Sequence, residues 1–338
     1  MFMVGEISGD TLAVELFKAM QSEGMEVNAF GAGGPKMKEA GIDLEIDLTE
    51  HAVIGIWEAV RNYRKFKGFF DQLLSLAHKE KPEAIICIDN PGFNLRFIRA
   101  IRKAAADSDW DPKIIYYISP QLWAWHSSRV RQISEDVDLL LSIFPFEKEW
   151  YAKHAPGFPV DFVGHPLCDR YPDLEFSDPK IIHEPRRLLL LPGSRSKELS
   201  RHLPVMFEAT RGVEAEPLIV LPNESLAAQA RLLIPEVADW DIQVGDMEKA
   251  LSRADVAIAS SGTVTLECAW FRVPTVVLYK TSLITYLLGR LFIRVKHIAM
   301  PNVMAEREVF PEFIQSDATG ENLARQVNNY LDEPDRRI

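Results

Sequence analysis

The chain has 338 residues, of which 47% are hydrophobic and 26% charged, and its formal net charge is -11. That length is too great for one small core and suits two domains. The acidic balance excludes a generic nucleic-acid binder. Cys87, Cys168 and Cys268 are far apart, odd in number and form no Cys-x-x-Cys pair. Neither a disulfide framework nor a zinc site is expected, and a reducing compartment fits. Glu6 and Asp10 stand where a signal peptide would need an apolar core, and no long uncharged apolar run occurs, so neither a leader nor a membrane span is expected.

In chain order, short apolar runs predict strands at Phe2–Val4, Val27–Phe30, Ala84–Ile88, Ile114–Ile118, Leu139–Ile143 and Val160–Val163. Helical patterns at Thr11–Gln21, Trp57–His78 and Asn94–Ala105 lie between them. From Leu167 to Arg187 the pattern breaks into "LCDRYPDLEFSDPKIIHEPRR", whose prolines and mixed charges mark a linker. The alternation resumes with strands at Leu188–Leu191, Leu218–Leu221, Val256–Ala259 and Thr275–Leu278, and a last helix at Gly320–Leu331. Strands apolar on both faces and joined by helices mean parallel sheets covered on both sides. The expected architecture is α/β: a domain over 1–166, a linker over 167–187 and a domain over 188–338, two doubly wound parallel sheets with a cleft between them. Ligands in such sheets sit beyond the carboxyl ends of the strands.

Three strand ends of the first half carry unusual residues. The first strand runs into Gly5-Glu6-Ile7-Ser8-Gly9-Asp10, another ends in "CIDNPGFN" with Asp89 at its tip, and a third ends in "YISPQLWAWHSSR" with Trp123, Trp125 and Arg129. Singly, the first two are equally a helix N-cap and an Asx turn, and a tryptophan pair is more often buried core than a binding platform. Together on one sheet edge they point to a pocket. "AFGAGGPKM" lacks the full G-x-G-x-x-G spacing and reads as a turn; "DSDWD" at Asp107–Asp111 reads as a solvated loop.

The second half offers Gly193-Ser194-Arg195, then Pro222-Asn223, then Gly245-Asp246-Met247, then Ser260-Ser261-Gly262-Thr263 at its strand ends. Backbone N–H groups at the start of "SSGTVTLECAW" suit a phosphate, and Arg195 adds a bidentate fork for the same anion. Glu267 comes one turn later on that helix, within reach of a ribose diol. An N-cap and a surface ion pair are the plainer alternatives. The chain has no G-x-x-x-x-G-K-[ST], which excludes a Walker-type ATPase.

Two stretches run against the charge trend. "IWEAVRNYRKFKGFF" (Ile56–Phe70) holds Arg61, Arg64, Lys65 and Lys67 beside Trp57, Val60 and Phe66, and "YKTSLITYLLGRLFIRVKHIAM" (Tyr279–Met300) holds Lys280, Arg290, Arg294 and Lys296 with no acid. Basic, aromatic-rich amphipathic helices suit an anionic membrane surface; core-facing helices with snorkelling lysines are the structural alternative.

"GEISGD", "GAGGPKM", "VIGIWE", "CIDNPGFN", "YYISPQLWAW", "FPFE", "FVGHPL", "LLLLPGSR", "SSGTVTLE" and "MPNVMAEREVFPEFIQ" resemble, in order and spacing over nearly the whole chain, the lipid-A-disaccharide synthase family of GT-B glycosyltransferases. The resemblance implies transfer of 2,3-diacylglucosamine from its UDP conjugate to the 6-hydroxyl of 2,3-diacylglucosamine 1-phosphate, with inversion and loss of UDP, by a peripheral enzyme on the cytoplasmic face of the inner membrane. It implies Asp89 as general base and Arg195 as the arginine of the UDP phosphates. Glu6, Ser8 and Asn302 would belong to the acceptor-side cleft. Ser194, Gly245, Met247, Ser261, Gly262, Thr263 and Glu267 would complete the UDP site. Trp57, Val60, Arg61, Arg64, Lys65, Phe66 and Lys67 would contact lipid. No cofactor and no metal are called for, and a homodimer is compatible. His126 stands where the family pattern has arginine, and the chain ends soon after "NNYLDEPDRRI", so a shortened crossing helix is expected. A UDP-sugar 2-epimerase and a non-catalytic UDP-lipid binding relative stay open as alternatives.

Overall fold

The computed structural model describes residues 1–51, 63–106, 108–124, 127–171, 183–283, 285–287 and 295–333. The chain divides into two compact units, Met1–Asp169 and Arg170–Ile338, and the expected linker over 167–187 straddles that division.

In the first unit the strands are β1 (Phe2–Val4), β2 (Phe30–Gly33), β3 (Asp43–Asp47), β4 (Ala84–Ile88), β5 (Lys113–Tyr117), β6 (Leu139–Ser142) and β7 (Val160–Phe162). They form one sheet in the order β3-β2-β1-β4-β5-β6-β7, and every pairing is parallel. Helices α1 (Ile7–Ser22), α2 (Pro35–Glu39), α3 (Tyr63–Glu80), α4 (Pro91–Ala105), α5 (Val130–Asp136), α6 (Pro145–His154) and α7 (Leu167–Arg170) accompany it. β1 and β4 are buried along their length except Ala84, which is half-buried, as strands covered on both faces must be. One face packs Met3, Cys87, Phe97 and Ile101 into a core, and the other packs Phe2, Val4, Phe17 and Ile88.

The second unit repeats the plan with β8 (Arg187–Leu191), β9 (Glu216–Leu221), β10 (Asp241–Val244), β11 (Val256–Ser260), β12 (Thr275–Tyr279) and β13 (Glu312–Ile314). The order is β10-β9-β8-β11-β12-β13, again parallel throughout. Its helices are α8 (Ser196–Thr210), α9 (Glu224–Leu233), α10 (Met247–Leu251), α11 (Val264–Trp270), α12 (Met300–Ala305) and α13 (Gly320–Asp332). Leu188 and Leu190 pack with Leu199, Leu203 and Met206 of α8 and with Leu323, Val327 and Leu331 of α13 in one buried cluster. The expectation of two doubly wound parallel sheets is met.

Three expectations change. "FGAG" is not a turn but the strand β2: Gly31 has φ +144, and a side chain there would collide with the Phe2 carbonyl of β1. The unforeseen strands β3, β10 and β13 all lie outside the sheet centres. Tyr279 ends β12, and the Lys280 ammonium donates to the Ala318 carbonyl at 3.0 Å; Arg290 and Arg294 of the expected second basic stretch lie outside the described residues. Among the described residues no helix is long and apolar enough to cross a membrane.

Candidate active site

Each sheet reverses its winding once. In the first unit the reversal falls between the neighbours β1 and β4, and in the second between β8 and β11. Crevices for ligands open beyond the carboxyl ends of strands at such points. The first is where Gly5-Glu6 and Asp89-Asn90 emerge; the second is where Gly193-Ser194-Arg195 and Ser261-Gly262-Thr263 emerge.

At the first point the backbone is unusual. Asp89 and Asn90 both take left-handed φ, 49° and 44°, and so does Ile118, at 70°, just past the neighbouring β5. Asp and Asn tolerate this region; a β-branched residue there is an outlier, and such conformations gather at functional sites. Asp89 is half-buried. Its carbonyl accepts from Asn94 Nδ2 at 2.8 Å and from the Tyr116 hydroxyl at 2.6 Å. Asn94, itself 2% exposed, also reaches the carbonyls of Met3 and Ile88 at 3.3 Å each, so one side chain binds the ends of β1 and β4 together. A side chain on Gly5 would collide with the Asn90 amide, which is why the turn after β1 begins with glycine. Glu6 is the N-cap residue of α1 and is half-buried, and Ser8 lies exposed in its first turn. Asp10 is structural. It is buried and accepts from the backbone N–H groups of Gly34, Lys36 and Met37 at 3.0–3.1 Å, thereby capping α2.

The third loaded strand end holds Trp123, whose indole N–H donates to Glu147 at 3.1 Å and whose ring meets Phe146 edge-on at 5.1 Å. Trp125 lies outside the described residues. Glu147 is wholly buried and also accepts from the Phe144 N–H at 3.3 Å. Desolvation raises its carboxyl to about 7 against the lowering effect of these donors.

At the second point β8 stops at Pro192, and Gly193 turns with φ +117 against the Glu198 side chain. Glu198 holds the turn from inside α8: its carboxylate accepts from Ser194 N–H and from Arg195 Nη1, each at 3.2 Å. Arg195 is the N-cap residue of α8, with its side chain 44% exposed. Ser261 follows β11; its hydroxyl donates to the Ile298 carbonyl at 2.8 Å. Gly262 and Thr263 are exposed at the start of α11. Glu267, one turn on, is largely buried and takes the Tyr171 hydroxyl at 3.4 Å and Arg170 Nη1 at 3.5 Å; burial pushes its carboxyl upward. Gly245 has φ +71 and precedes Asp246, which caps α10 through the Lys249 N–H at 3.4 Å, with Met247 next in line.

Asn302 does not fit the acceptor-side position expected for it. It lies in the second unit and is 0% exposed. Its amide donates to Phe310 O at 2.6 Å and Glu312 Oε1 at 2.8 Å, and it accepts from the N–H groups of Val309 and Phe310. All four hydrogen-bonding positions of the amide are spent on the chain. Glu312 in turn accepts from Ile298 and Ala299 N–H, so Asn302 and Glu312 brace the segment on which Ser261 rests.

Of the expected lipid-contact residues, Trp57, Val60 and Arg61 lie outside the described residues. Arg64, Lys65 and Lys67 are exposed on α3, while Phe69 and Phe70 of the same helix pack on the core. Phe66 is half-buried against Phe69, ring centroids 6.3 Å apart. Among the described residues no cluster of His, Cys, Asp and Glu could hold a metal ion.

Sequence reasoning missed Asn94, Glu147, Glu198, His202 and Glu312. Glu198 and Glu147 had a local signal, each standing at the third position of its helix, α8 and α6, the place from which a glutamate reaches back to N-terminal N–H groups.

A family model described as lipid-A-disaccharide synthetase matches residues 1–338. Lipid-A-disaccharide synthase of Geobacter sulfurreducens is 36% identical over 345 residues, spanning 99% of this chain and 88% of that protein. Lipid-A-disaccharide synthase 1 of Legionella pneumophila is 33% identical over 360 residues, with the same coverage of 99% and 88%. Among solved structures the fold is similar to UDP-GlcNAc 2-epimerase of Methanocaldococcus jannaschii in complex with UDP-GlcNAc and UDP, with TM-score 0.64 at 12% identity over 98% of this chain and 92% of that one. It is also similar to Acinetobacter baumannii MurG, with TM-score 0.54 at 15% identity over 97% and 90%. These structural likenesses speak to the GT-B fold alone.

Proposed function

The chain belongs to the lipid-A-disaccharide synthase family and is a glycosyltransferase of lipid A disaccharide synthesis; from that premise we propose that it joins UDP-2,3-diacylglucosamine to 2,3-diacylglucosamine 1-phosphate. The acceptor's 6-hydroxyl oxygen bonds to the anomeric carbon, the bond from that carbon to the diphosphate breaks with inversion, and UDP leaves. The acceptor proton passes to Asp89.

The observation that carries this reading is the pairing of loaded residues with the winding reversals: Asp89 at that of the first sheet, Arg195 and Ser261-Gly262-Thr263 at that of the second. A diphosphate gains negative charge as its bond to the sugar breaks. A guanidinium fixed at a turn therefore stabilises the transition state more than the ground state. The N–H groups around Gly262 and Thr263 suit the same anion, and Glu267 suits a ribose diol. Ser194 follows β8, Gly245 and Met247 follow β10 two strands away at the same carboxyl edge, and they would complete the UDP site. Asp89, held in a left-handed turn by contacts to its own carbonyl, suits a general base, a role worth roughly 10²–10⁴ in rate. Glu6 and Ser8 lie at the start of α1, after the strand that neighbours β4, and suit polar contacts to the acceptor. The exposed cations of α3 suit the anionic inner face of a membrane, from which both lipid substrates would be drawn.

The similarity to UDP-GlcNAc 2-epimerases keeps one other activity worth a control. The test incubates the chain with both lipid substrates in detergent micelles and reads the products by mass spectrometry, with UDP-N-acetylglucosamine alone in a parallel tube. A disaccharide 1-phosphate and stoichiometric UDP support the reading. Turnover of UDP-N-acetylglucosamine without an acceptor overturns it.

A further inference from the structure

His202 is wholly buried on α8, one turn beyond Glu198. Its Nδ1 lies 2.9 Å from the Pro192 carbonyl, the last residue before Gly193-Ser194-Arg195. Its Nε2 lies 3.1 Å from the Lys280 nitrogen and 3.2 Å from the Lys280 carbonyl, at the exit of β12. The ring of Tyr279 packs against it at 5.9 Å. A neutral imidazole has one donor and one acceptor, and the Lys280 N–H is answered only if Nε2 accepts. Nδ1 therefore carries the hydrogen and donates to Pro192. Burial holds the imidazole below its ordinary range, consistent with this neutral form.

The position of the two partners matters. In the sheet β11 lies between β8 and β12, and β11 is the strand that delivers Ser261-Gly262-Thr263. Ser261 N–H donates to Leu278 O of β12 at 3.2 Å. The imidazole thus ties together the exits of the two strands that flank the phosphate-binding loop. We infer that His202 is a positioning residue for the donor site: it clamps the Pro192 and Lys280 exits on either side of β11, holding Arg195 and Ser261-Gly262-Thr263 in the spacing that one diphosphate requires. This rests on the proposed reading of those residues as the UDP site.

The test compares His202→Asn, His202→Gln and His202→Leu with the wild type and with Val327→Ala, a core truncation on α13 away from the strand exits. UDP affinity is measured by calorimetry, thermal stability by melting, the donor KM and kcat by product formation, and exchange of the Lys280 amide by hydrogen–deuterium exchange. Asn keeps the reach to Pro192, Gln keeps the reach to Lys280, and Leu keeps neither. The expectation is that Leu weakens UDP binding by about tenfold or more, because UDP must then order the two strand exits itself and the binding-competent spacing is only fractionally populated without it. Asn and Gln fall between Leu and wild type, the donor KM rises more than kcat falls, and the Lys280 amide exchanges faster in Leu and Asn than in Gln. Val327→Ala is expected to lower the melting temperature with UDP affinity kept within about twofold, because it loosens the same buried cluster without removing a hydrogen bond at the strand exits. If wild type and Arg195→Ala differ in UDP affinity but the His202 variants match the wild type, or if Val327→Ala weakens UDP equally, the positioning role is overturned while the donor site stands. If the wild type fails to bind UDP at all, both are overturned.

Discussion

The side-chain amide of Asn94 donates to the carbonyl of Asp89 at 2.8 Å from inside α4, while the Tyr116 hydroxyl meets the same carbonyl at 2.6 Å from β5. The proposed base is therefore positioned through its main chain by two neighbours that are themselves buried. Asn94→Leu has similar volume but leaves three carbonyls without this donor, a cost of about 1–3 kcal/mol. We expect turnover to fall at least about tenfold while UDP affinity stays within about twofold, because Asn94 belongs to the first unit and the residues proposed for UDP to the second. Steady-state kinetics beside UDP calorimetry reads both, and equal loss of the two would assign Asn94 a purely structural role.

Arg195→Ala is expected to weaken UDP binding and slow transfer together, by about 2 kcal/mol or more each, as happens when a charge pair loses one desolvated partner. Lysine should recover only part of this, because a single ammonium cannot reproduce the guanidinium fork. Unchanged calorimetric affinity in Arg195→Ala would place the arginine outside the site.

Glu147 makes the first unit sensitive to pH. Its carboxyl ionises at about 7 in the folded chain against an ordinary value of 4.5. Between those values the folded chain keeps a proton that the unfolded chain has lost, so stability falls as pH rises through this window and flattens above it. The full effect is on the order of 3 kcal/mol. Glu147→Gln, which can still accept from Trp123, should remove most of this slope in unfolding midpoints taken from pH 5 to pH 8. A slope as steep as that of the wild type would assign it to other groups.

Arg64, Lys65 and Lys67 are exposed on α3 while Phe69 and Phe70 hold the helix to the core. Replacing the three cations by glutamate should leave folding intact. The exposed Lys67–Asp71 pair at 3.3 Å contributes little. Binding to anionic vesicles should weaken by roughly 3 kcal/mol, about 1 per basic residue. Flotation at low salt decides, and equal flotation of variant and wild type would leave α3 a structural helix.

The central strands were legible because their burial is written in local composition: "LLLL" at Leu188–Leu191 and "AIICI" at Ala84–Ile88 have no other plausible fate in an α/β chain. Three of the four edge strands were not, although the edge strand β7 was. "DLEID" in β3 alternates exposed charge with apolar residues, "DIQV" in β10 and "EFI" in β13 are short and half-exposed, and only the neighbouring strand makes them strands. In the site, Arg195 and Ser261-Gly262-Thr263 were visible as glycine, hydroxyl and charge directly after apolar runs. His202, inferred to space them, was not, because its second partner lies 78 residues away, and in the first unit the Trp123–Glu147 pair was hidden by a separation of 24 residues. Asn302 shows the converse: a polar residue in a recognisable motif drew a contact role, whereas burial and four internal hydrogen bonds make it a brace beneath Ser261.

The division of labour between Asp89 and the UDP site is tested most directly by Asp89→Asn. Asparagine tolerates the left-handed φ of 49° as aspartate does, so the turn is kept and only the proton acceptor is lost. The measurement is the rate of disaccharide formation by this variant, with UDP affinity determined on the same preparation. The account predicts a loss of roughly a hundredfold or more in turnover with UDP affinity within about twofold of wild type. A variant that keeps more than about a tenth of wild-type turnover would contradict it, since even a modest general base contributes more than that.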